Sequence, residues 1–312
     1  MLHLNLQAKR MSDYHEPVLL SESIDALVGD EEGCYVDVTY GGGGHTAEIL
    51  NRLGAKGRLM VFDQDEEALG NLIEDDRLVF VKSNFRHLYR YWRWLGWARV
   101  DGVLADLGVS SHQLDADYRG FSHRFDAGVD MRMNTDSPLT ARHLIKRYDF
   151  ENLVRVFSDY GEVRNAKKLA RTIVEARESG EEIRTTADLN VLLDEVRVGE
   201  RNKYLSQVYQ ALRIEVNEEM QSLEEMLMGA KRVLKDGGRI VVVSYHSLED
   251  RMVKRFFRSG DVSGEIERDV YGRSLADMKQ IGKLIQPGET ELNADSRSRS
   301  AKMRIGEKLK TQ

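Results

Sequence analysis

The chain has 312 residues, with 46 Lys and Arg against 52 Asp and Glu, for a formal charge of −6. That length predicts roughly two domains or one domain with a large insertion, and 41% apolar with 31% charged residues reads as an ordered globular chain. No stretch approaches the ~20 apolar residues of a membrane helix. The lone Cys34 excludes an internal disulfide, no HExxH or CxxC spacing invites a metal, and the mild acidity argues against indiscriminate nucleic-acid binding while leaving a selective partner open.

Residues 1–10 (MLHLNLQAKR) lack a signal-peptide core and read as a tail, with Met11 as a second start. Four short apolar runs follow, at 34–40 (CYVDVTY), 58–62 (RLMVF), 77–82 (RLVFVK) and 100–105 (VDGVLA); a fifth, at 239–245 (RIVVVSY), comes much later. None alternates strictly, as expected of strands buried on both faces of a parallel sheet. Helix-like segments at 45–53 and 66–73 lie between them, so the pattern predicts a doubly wound α/β sheet. The long gap before the fifth run is helical in pattern. Val163, Ala166, Leu169, Ala170, Ile173 and Val174 fall at helical spacing, and 186–196 and 204–234 continue it. Pro138 marks a helix start. We therefore expect a discontinuous sheet domain at 11–114 and 206–312, interrupted by an all-helical insertion at 115–205, with the sheet resuming near Asp236-Gly237-Gly238. In the tail, 282–286 (GKLIQ) and 301–305 (AKMRI) predict an antiparallel edge hairpin, followed through a basic run of Arg297, Arg299, Lys302 and Arg304.

The chemistry concentrates after the first strand, in Asp37-Val38-Thr39-Tyr40-Gly41-Gly42-Gly43-Gly44-His45. Consecutive glycines permit a tight turn and close backbone approach to a ligand. A helix N-terminus alone suits a phosphate, but a carboxylate just before it, Asp37, suits a ligand with an ammonium group. Asp63, ending the second strand, is placed to accept hydrogen bonds from ribose hydroxyls. Together they fit S-adenosyl-L-methionine (AdoMet), which has a ribose and an amino acid moiety and no phosphate. Taken singly, Asp63 could be a helix cap and the glycines only a turn. Asn84-Phe85 and Asp106, after strands three and four, add groups to the same crevice.

At these residues the chain resembles the bacterial ribosomal RNA small subunit methyltransferase H family, a class I AdoMet-dependent family methylating cytidine N4 in 16S rRNA. The likeness runs through HEPVLLSE (15–22), VDVTYGGGGHT (36–46), DGVLADLGVSSHQLD (101–115), RGFS (119–122), DMRMN (130–134), YGE (160–162), YQALRIEVNEEM (209–220), GGRIVVVSYHSLEDRMVKRF (237–256) and RSRSAKMR (297–304). The resemblance implies a Rossmann-like sheet and an insertion serving RNA recognition. It implies AdoMet contacts by Gly43, Gly44, His45, Asp63, Phe85, Asp106 and Gln113. His112 stands where the family usually has Pro, Tyr209 and Tyr245 where it usually has Phe, and Asp295-Ser296-Arg297 replaces its NPR. It also implies a cytoplasmic enzyme acting on rRNA within a ribosomal particle; a homodimer is compatible with the sequence.

Asp106 is the best candidate for a catalytic group, as an acceptor for the target amine or a cofactor ligand. His246 before a helix reads as structural, with Ser247 and Asp250 fitting a capping box. At a helix N-terminus His45 is disfavoured as a cation and is expected to offer its backbone N–H. The target base must be unpaired or flipped. Arg164, Lys167, Lys168 and Arg171 in the insertion, and Arg251, Lys254, Arg255 and Arg258 after the fifth strand, are candidate phosphate contacts; solvated faces with i,i+4 pairs are the plain alternative. All three tryptophans lie in Tyr91-Trp92-Arg93-Trp94-Leu95-Gly96-Trp97. Interleaved aromatics and Arg can stack bases, but Leu88, Trp92 and Leu95 sit at helical spacing and read as core, leaving Trp94 unexplained. Competing functions are an AdoMet-dependent amino-methyltransferase acting on DNA or other RNA, a nicotinamide oxidoreductase, and a non-catalytic RNA-binding assembly factor of the same fold.

Overall fold

In the computed structural model, which describes residues 17–294 and 296–310, the apolar runs become one seven-stranded sheet. Its strands are β1 (Cys34–Asp37), β2 (Arg58–Asp63), β3 (Leu78–Lys82), β4 (Val100–Asp106), β5 (Leu234–Ser244), β6 (Met278–Ile285) and β7 (Lys302–Lys308). Their order is β3-β2-β1-β4-β5-β7-β6. The first five are parallel, and β7 enters antiparallel between β5 and β6. The tail hairpin thus forms as expected, with β6 at one edge of the sheet and β3 at the other. This is a doubly wound, Rossmann-like α/β sheet.

The helices are α1 (Leu20–Leu27), α2 (Gly44–Arg52), α3 (Leu88–Leu95), α4 (Ser111–Asp115), α5 (Ala141–Arg147), α6 (Phe150–Asp159), α7 (Ala166–Glu178), α8 (Thr186–Val196), α9 (Arg201–Val216), α10 (Glu219–Val233), α11 (Ser247–Ser259) and α12 (Glu289–Ala294). The chain divides into two compact units, one reaching Gly108 and resuming at Met220, the other Val109–Glu219. The tail at 1–10, His15-Glu16 of the HEPVLLSE motif, and Asp295 lie outside the described residues.

In the first unit both sheet faces are covered, which is why the strands do not alternate in polarity. Val36, Met60, Phe62, Val103, Ile240 and Val242 point into one apolar cluster with α10 and α11. Tyr35, Leu59, Val61, Leu104, Val241 and Val243 point into the other with α1 and α2. The segment at 66–73, expected as a helix, forms only a 3-10 turn over Glu66–Asn71, capped by the Asp65 carboxylate.

The second unit is helical around its own core, which includes Leu153, Phe157, Leu169, Ile173, Leu189, Leu193, Leu205 and Leu212. α9 runs through the boundary expected at 205/206. The helix expected over 204–234 is instead two helices. Glu218 takes φ 49°, and the Asn217 side chain turns back to donate to the Met131 carbonyl at 2.8 Å and accept from the Met133 N–H at 2.7 Å. Helix α5 starts after a Thr140 cap, two residues beyond Pro138. Gly120 has φ 73°, and a Cβ there would meet the Gly128 carbonyl oxygen at 2.3 Å. The buried Arg119 donates to the Arg132 carbonyl at 2.8 Å. RGFS, DMRMN and the VNEEM segment are thus packed onto one another, and their spelling reflects backbone fit as much as chemistry.

Candidate active site

Strand order reverses between β1 and β4, and in doubly wound sheets ligands bind outside the carboxyl ends of the strands at that point. Asp37 ends β1, Asp63 ends β2, Asn84 and Phe85 follow β3, and Asp106 ends β4. Of the seven predicted cofactor residues, Gly43, Gly44, His45, Asp63, Phe85 and Asp106 lie on this rim; Gln113 belongs to the second unit.

The glycine loop leaves β1 with Gly41 at φ 52° and Gly43 at φ 83°, a conformation that disfavours any Cβ. Gly43 begins α2 without a side-chain cap, so the N–H groups of the first turn face outward for a ligand. Gly44 has a separate reason to be glycine: a Cβ there would lie 2.3 Å from Cγ of Pro17. Pro17 therefore packs over the loop, a role its sequence did not disclose.

Asp37 corrects an expectation. Its side chain is fully buried, and both oxygens are occupied. Thr46 Oγ1 donates to Oδ2 at 2.7 Å, and the Thr39 N–H and hydroxyl donate to Oδ1 at 3.0 and 3.3 Å. Burial raises its pKa against the pull of these hydrogen bonds. It holds the loop in shape and does not present itself to an ammonium group. The spacing that places an acid before the glycines carries no information on which way it points.

Asp63 is half-buried and does not cap the following turn; Asp65 does. One Asp63 oxygen accepts from the Gly41 N–H at 2.8 Å and the other from the Asp65 N–H at 2.8 Å, which leaves each oxygen a further lone pair for a hydroxyl donor. Burial pushes its pKa up to about 6. Phe85 opens a 3-10 turn capped by Asn84, whose side chain accepts from the Arg86 N–H. Asn84 also donates to Gln64 at 3.0 Å.

Asp106 is held at both its backbone and its side chain. Its N–H donates to Thr39 Oγ1 at 2.7 Å, joining the ends of β1 and β4. The Tyr245 hydroxyl donates to Oδ1 at 2.9 Å, and His45 Nδ1 stands 3.8 Å from Oδ2. Burial pushes the Asp106 pKa up to about 7; the Tyr245 hydrogen bond pulls it down, while Asp37 and Glu249 add to the rise. Burial and the Asp106 charge raise the Tyr245 phenol, so it remains a donor. His45 is buried, with its pKa lowered to about 4, chiefly by desolvation, so it is neutral and supplies no counter-charge. The buried Nε2 of His45 has no hydrogen-bond partner among the described residues.

His246 caps a helix. It is itself the N-cap of α11, one residue earlier than the predicted Ser247 box. The Glu249 carboxylate accepts from the N–H groups of Tyr245 and His246 at 2.8 and 3.2 Å. Asp250 instead pairs with Arg304 at 2.7 Å and Lys302 at 3.6 Å, which commits half of the tail's basic run to the fold.

Gln113 is buried, and its side chain accepts from the Ser110 N–H at 3.1 Å in a capping box at α4. On α7, Ala166, Leu169, Ala170 and Ile173 face the core. Arg164, Lys167, Lys168 and Arg171 are exposed, and none forms an ion pair with the described residues. Lys254 and Arg255 on α11 are likewise exposed and without ion pairs among the described residues, whereas Arg258 donates to the Gly264 carbonyl at 2.7 Å. Arg251 is exposed.

Sequence reasoning missed Thr39, Thr46 and the Tyr245 hydroxyl. Tyr245 had a visible mark, as a departure from the usual Phe, but nothing local pointed to Asp106.

The chain matches the pattern of the MraW methylase family over residues 12–309. It is 52% identical to a protein of Flavobacterium johnsoniae named ribosomal RNA small subunit methyltransferase H, over 95% of this chain and 98% of that one. Proteins of the same name from Christiangramia forsetii and Bacteroides fragilis are each 50% identical, covering 96% and 95% of this chain and 99% and 97% of their own. With identity at this level across nearly the full length, and the family pattern matched from the glycine loop to β7, the chain belongs to the MraW methylase family.

Proposed function

We propose that this chain is an AdoMet-dependent methyltransferase that modifies N4 of a cytidine in small-subunit ribosomal RNA. The observation that carries the reading is the row of acids at the strand ends of the switch point. Asp37 ends β1, Asp63 ends β2 and Asp106 ends β4, beside a glycine turn with no side-chain cap. Such a crevice suits a cationic ligand and is hostile to a diphosphate, which counts against a nicotinamide cofactor. AdoMet fits this donor set, and when bound it supplies an electrophilic methyl on a sulfonium.

The chain's own residues do the rest. Asp63 accepts from the ribose hydroxyls, Phe85 lends an apolar face, and Gly43, Gly44 and His45 bring backbone close to the ligand; the family likeness also implies Gln113, which belongs to the second unit. Asp106, steadied by Tyr245, accepts a hydrogen bond from the exocyclic amine of the target base, which helps to free its lone pair. Positioning of the amine against the methyl supplies much of the acceleration. The second unit recognises the RNA, with Arg164, Lys168 and Arg171 on phosphates, helped by Arg251 and Lys254 on α11. The substrate is rRNA within a ribosomal particle in the cytoplasm. Among the described residues no helix is long and apolar enough to cross a membrane.

The deciding experiment is mass-spectrometric nucleoside analysis of small-subunit rRNA from cells with and without the gene. Loss of N4-methylated cytidine on deletion supports the reading, and an unchanged level overturns it.

A further inference from the structure

The aromatic helix α3 has two sides. On the inner side Leu88 is fully buried, and Trp92 donates from Nε1 to the Ala98 carbonyl at 2.8 Å while its ring stacks on Tyr89 at 5.8 Å and 21°. These rings are anchored in the fold, as the helical spacing predicts. Trp94 is not. Its side chain is 77% exposed, second only to Tyr271 among the described aromatics, and it meets the Tyr91 ring edge-on at 6.3 Å.

Two exposed arginines stand beside it on the helix, Arg93 next in sequence and Arg90 one turn back. Arg93 and Arg232 lie over the Tyr89 ring at 5.8 and 5.4 Å, and Arg99 lies over Trp92 at 5.8 Å. Arg90 is exposed on the same helix. None of these four guanidinium groups pairs with a carboxylate among the described residues, although the chain has more acids than bases. The neighbouring Arg86 shows the contrast, with a two-point pair to Glu225 at 3.0 and 2.9 Å. Arg99 is held by the Arg232 carbonyl, but cations without a carboxylate partner beside a solvent-facing indole are the composition that binds single-stranded nucleic acid, with bases stacking on the ring and phosphates meeting the arginines.

We propose that the outer face of α3, centred on Trp94 and flanked by Arg90 and Arg93, with Arg232 beside Arg93 over Tyr89, is a second RNA-binding surface that stacks an unpaired segment of the substrate rRNA. The identity of that RNA rests on the function proposed above; the stacking does not. The helix starts just past the crevice end of β3 and extends about 12 Å away from it. The face therefore acts on substrate binding and leaves the methyl-transfer step alone.

All three tryptophans lie in this segment, so intrinsic emission reports on it directly. The full chain is titrated with a mixed-sequence single-stranded RNA of about 12 nucleotides, followed by tryptophan fluorescence and by anisotropy of a labelled strand. The expected result is quenching on binding, affinity weakened roughly five-fold or more in Trp94→Ala, and a salt slope reduced by about 1 in each of Arg93→Gln and Arg232→Gln. Because Trp94 is in water, its replacement leaves the melting curve in place, which controls for folding. Binding with unchanged emission and undiminished Trp94→Ala affinity overturns the proposal. So does a Trp94→Ala variant that changes oligomeric state while keeping its RNA affinity, since a second copy would then cover this face. No arm depends on methyl transfer, so failure here and failure of the N4 assignment are read separately.

Discussion

Tyr245 and Asp106, 139 residues apart in sequence, meet at the ends of adjacent strands, where the phenol donates to the carboxylate at 2.9 Å. A hydrogen bond to the charged form favours ionisation, so this interaction works against the burial that lifts Asp106 to about 7. Removing it in Tyr245→Phe raises the Asp106 pKa further. An acceptor must be ionised, so the acid limb of the kcat/KM profile moves to higher pH. Activity falls several-fold at pH 7 and recovers by pH 9. Methyl transfer assayed from pH 6 to 9 checks this, and an unmoved acid limb removes Asp106 ionisation from the mechanism.

Asp106 itself should show opposite effects on activity and stability. Asp106→Ala and Asp106→Asn both lose activity, by about 100-fold or more. The folded pKa near 7 lies above the ordinary value of about 3.9. Protonation therefore favours the fold, and that contribution is lost as pH rises through 7. Asn carries no such charge. Its advantage over the native residue is absent near pH 4, grows towards pH 7 and reaches on the order of 1 kcal/mol or more. Thermal melts of the ligand-free protein at pH 4.5 and 8 test the sign.

Asp37 is predicted to be structural first. Asp37→Ala strands the Thr46 hydroxyl and the Thr39 N–H in a buried setting, at a cost of about 2–4 kcal/mol. Thr46→Val removes one donor and costs about 1–2 kcal/mol. Both weaken AdoMet binding through the shape of the loop. Urea unfolding with calorimetry separates the cases: a fully stable Asp37→Ala that no longer binds points instead to a direct role in holding the ligand.

Gly44→Ala pits a new methyl against the Pro17 ring. The segment over the loop must shift, and AdoMet affinity falls about ten-fold or more. Pairing it with Pro17→Ala restores part of the loss if the clash is the cause. An additive double variant contradicts that account.

Charge reversal at Arg164, Lys168 and Arg171 takes away up to three cations that neutralise phosphates. The slope of log affinity against log salt should fall by about 0.9 for each phosphate left without its cation. Filter binding of small-subunit rRNA over a salt series measures it, and an unchanged slope would take α7 out of the interface.

Much of the fold was legible because burial on both faces leaves a direct imprint: RLMVF and RIVVVSY read as strands with no alternation, and both are. The places of Asp63, Phe85 and Asp106 at or just past strand ends were legible, since strand ends are what a sequence marks. Orientation was not legible. Asp37 turns inward to Thr39 and Thr46, and the cap of α11 is His246 with Glu249, a shift of one residue that spacing rules do not resolve. The break at Asn217 was hidden because it answers to Met131 and Met133, far back in the chain. Trp94 could be singled out on the α3 pattern, but its exposure beside Arg90 and Arg93 shows only in the fold.

The sheet is completed late in synthesis. β4 ends at Asp106 and its parallel neighbour β5 begins at Leu234, 128 positions later. At about 5–20 residues per second, the ribosome needs roughly 6–26 s to cover that distance. Throughout it, β4 is a nascent edge with open hydrogen-bonding groups, the kind that pairs with the wrong chain. The intervening 109–219 unit has its own core and can fold during the wait. Slowing translation over 109–219, or destabilising that unit, should therefore raise aggregation of the nascent protein, through the waiting edge of β4 rather than any site of chemistry.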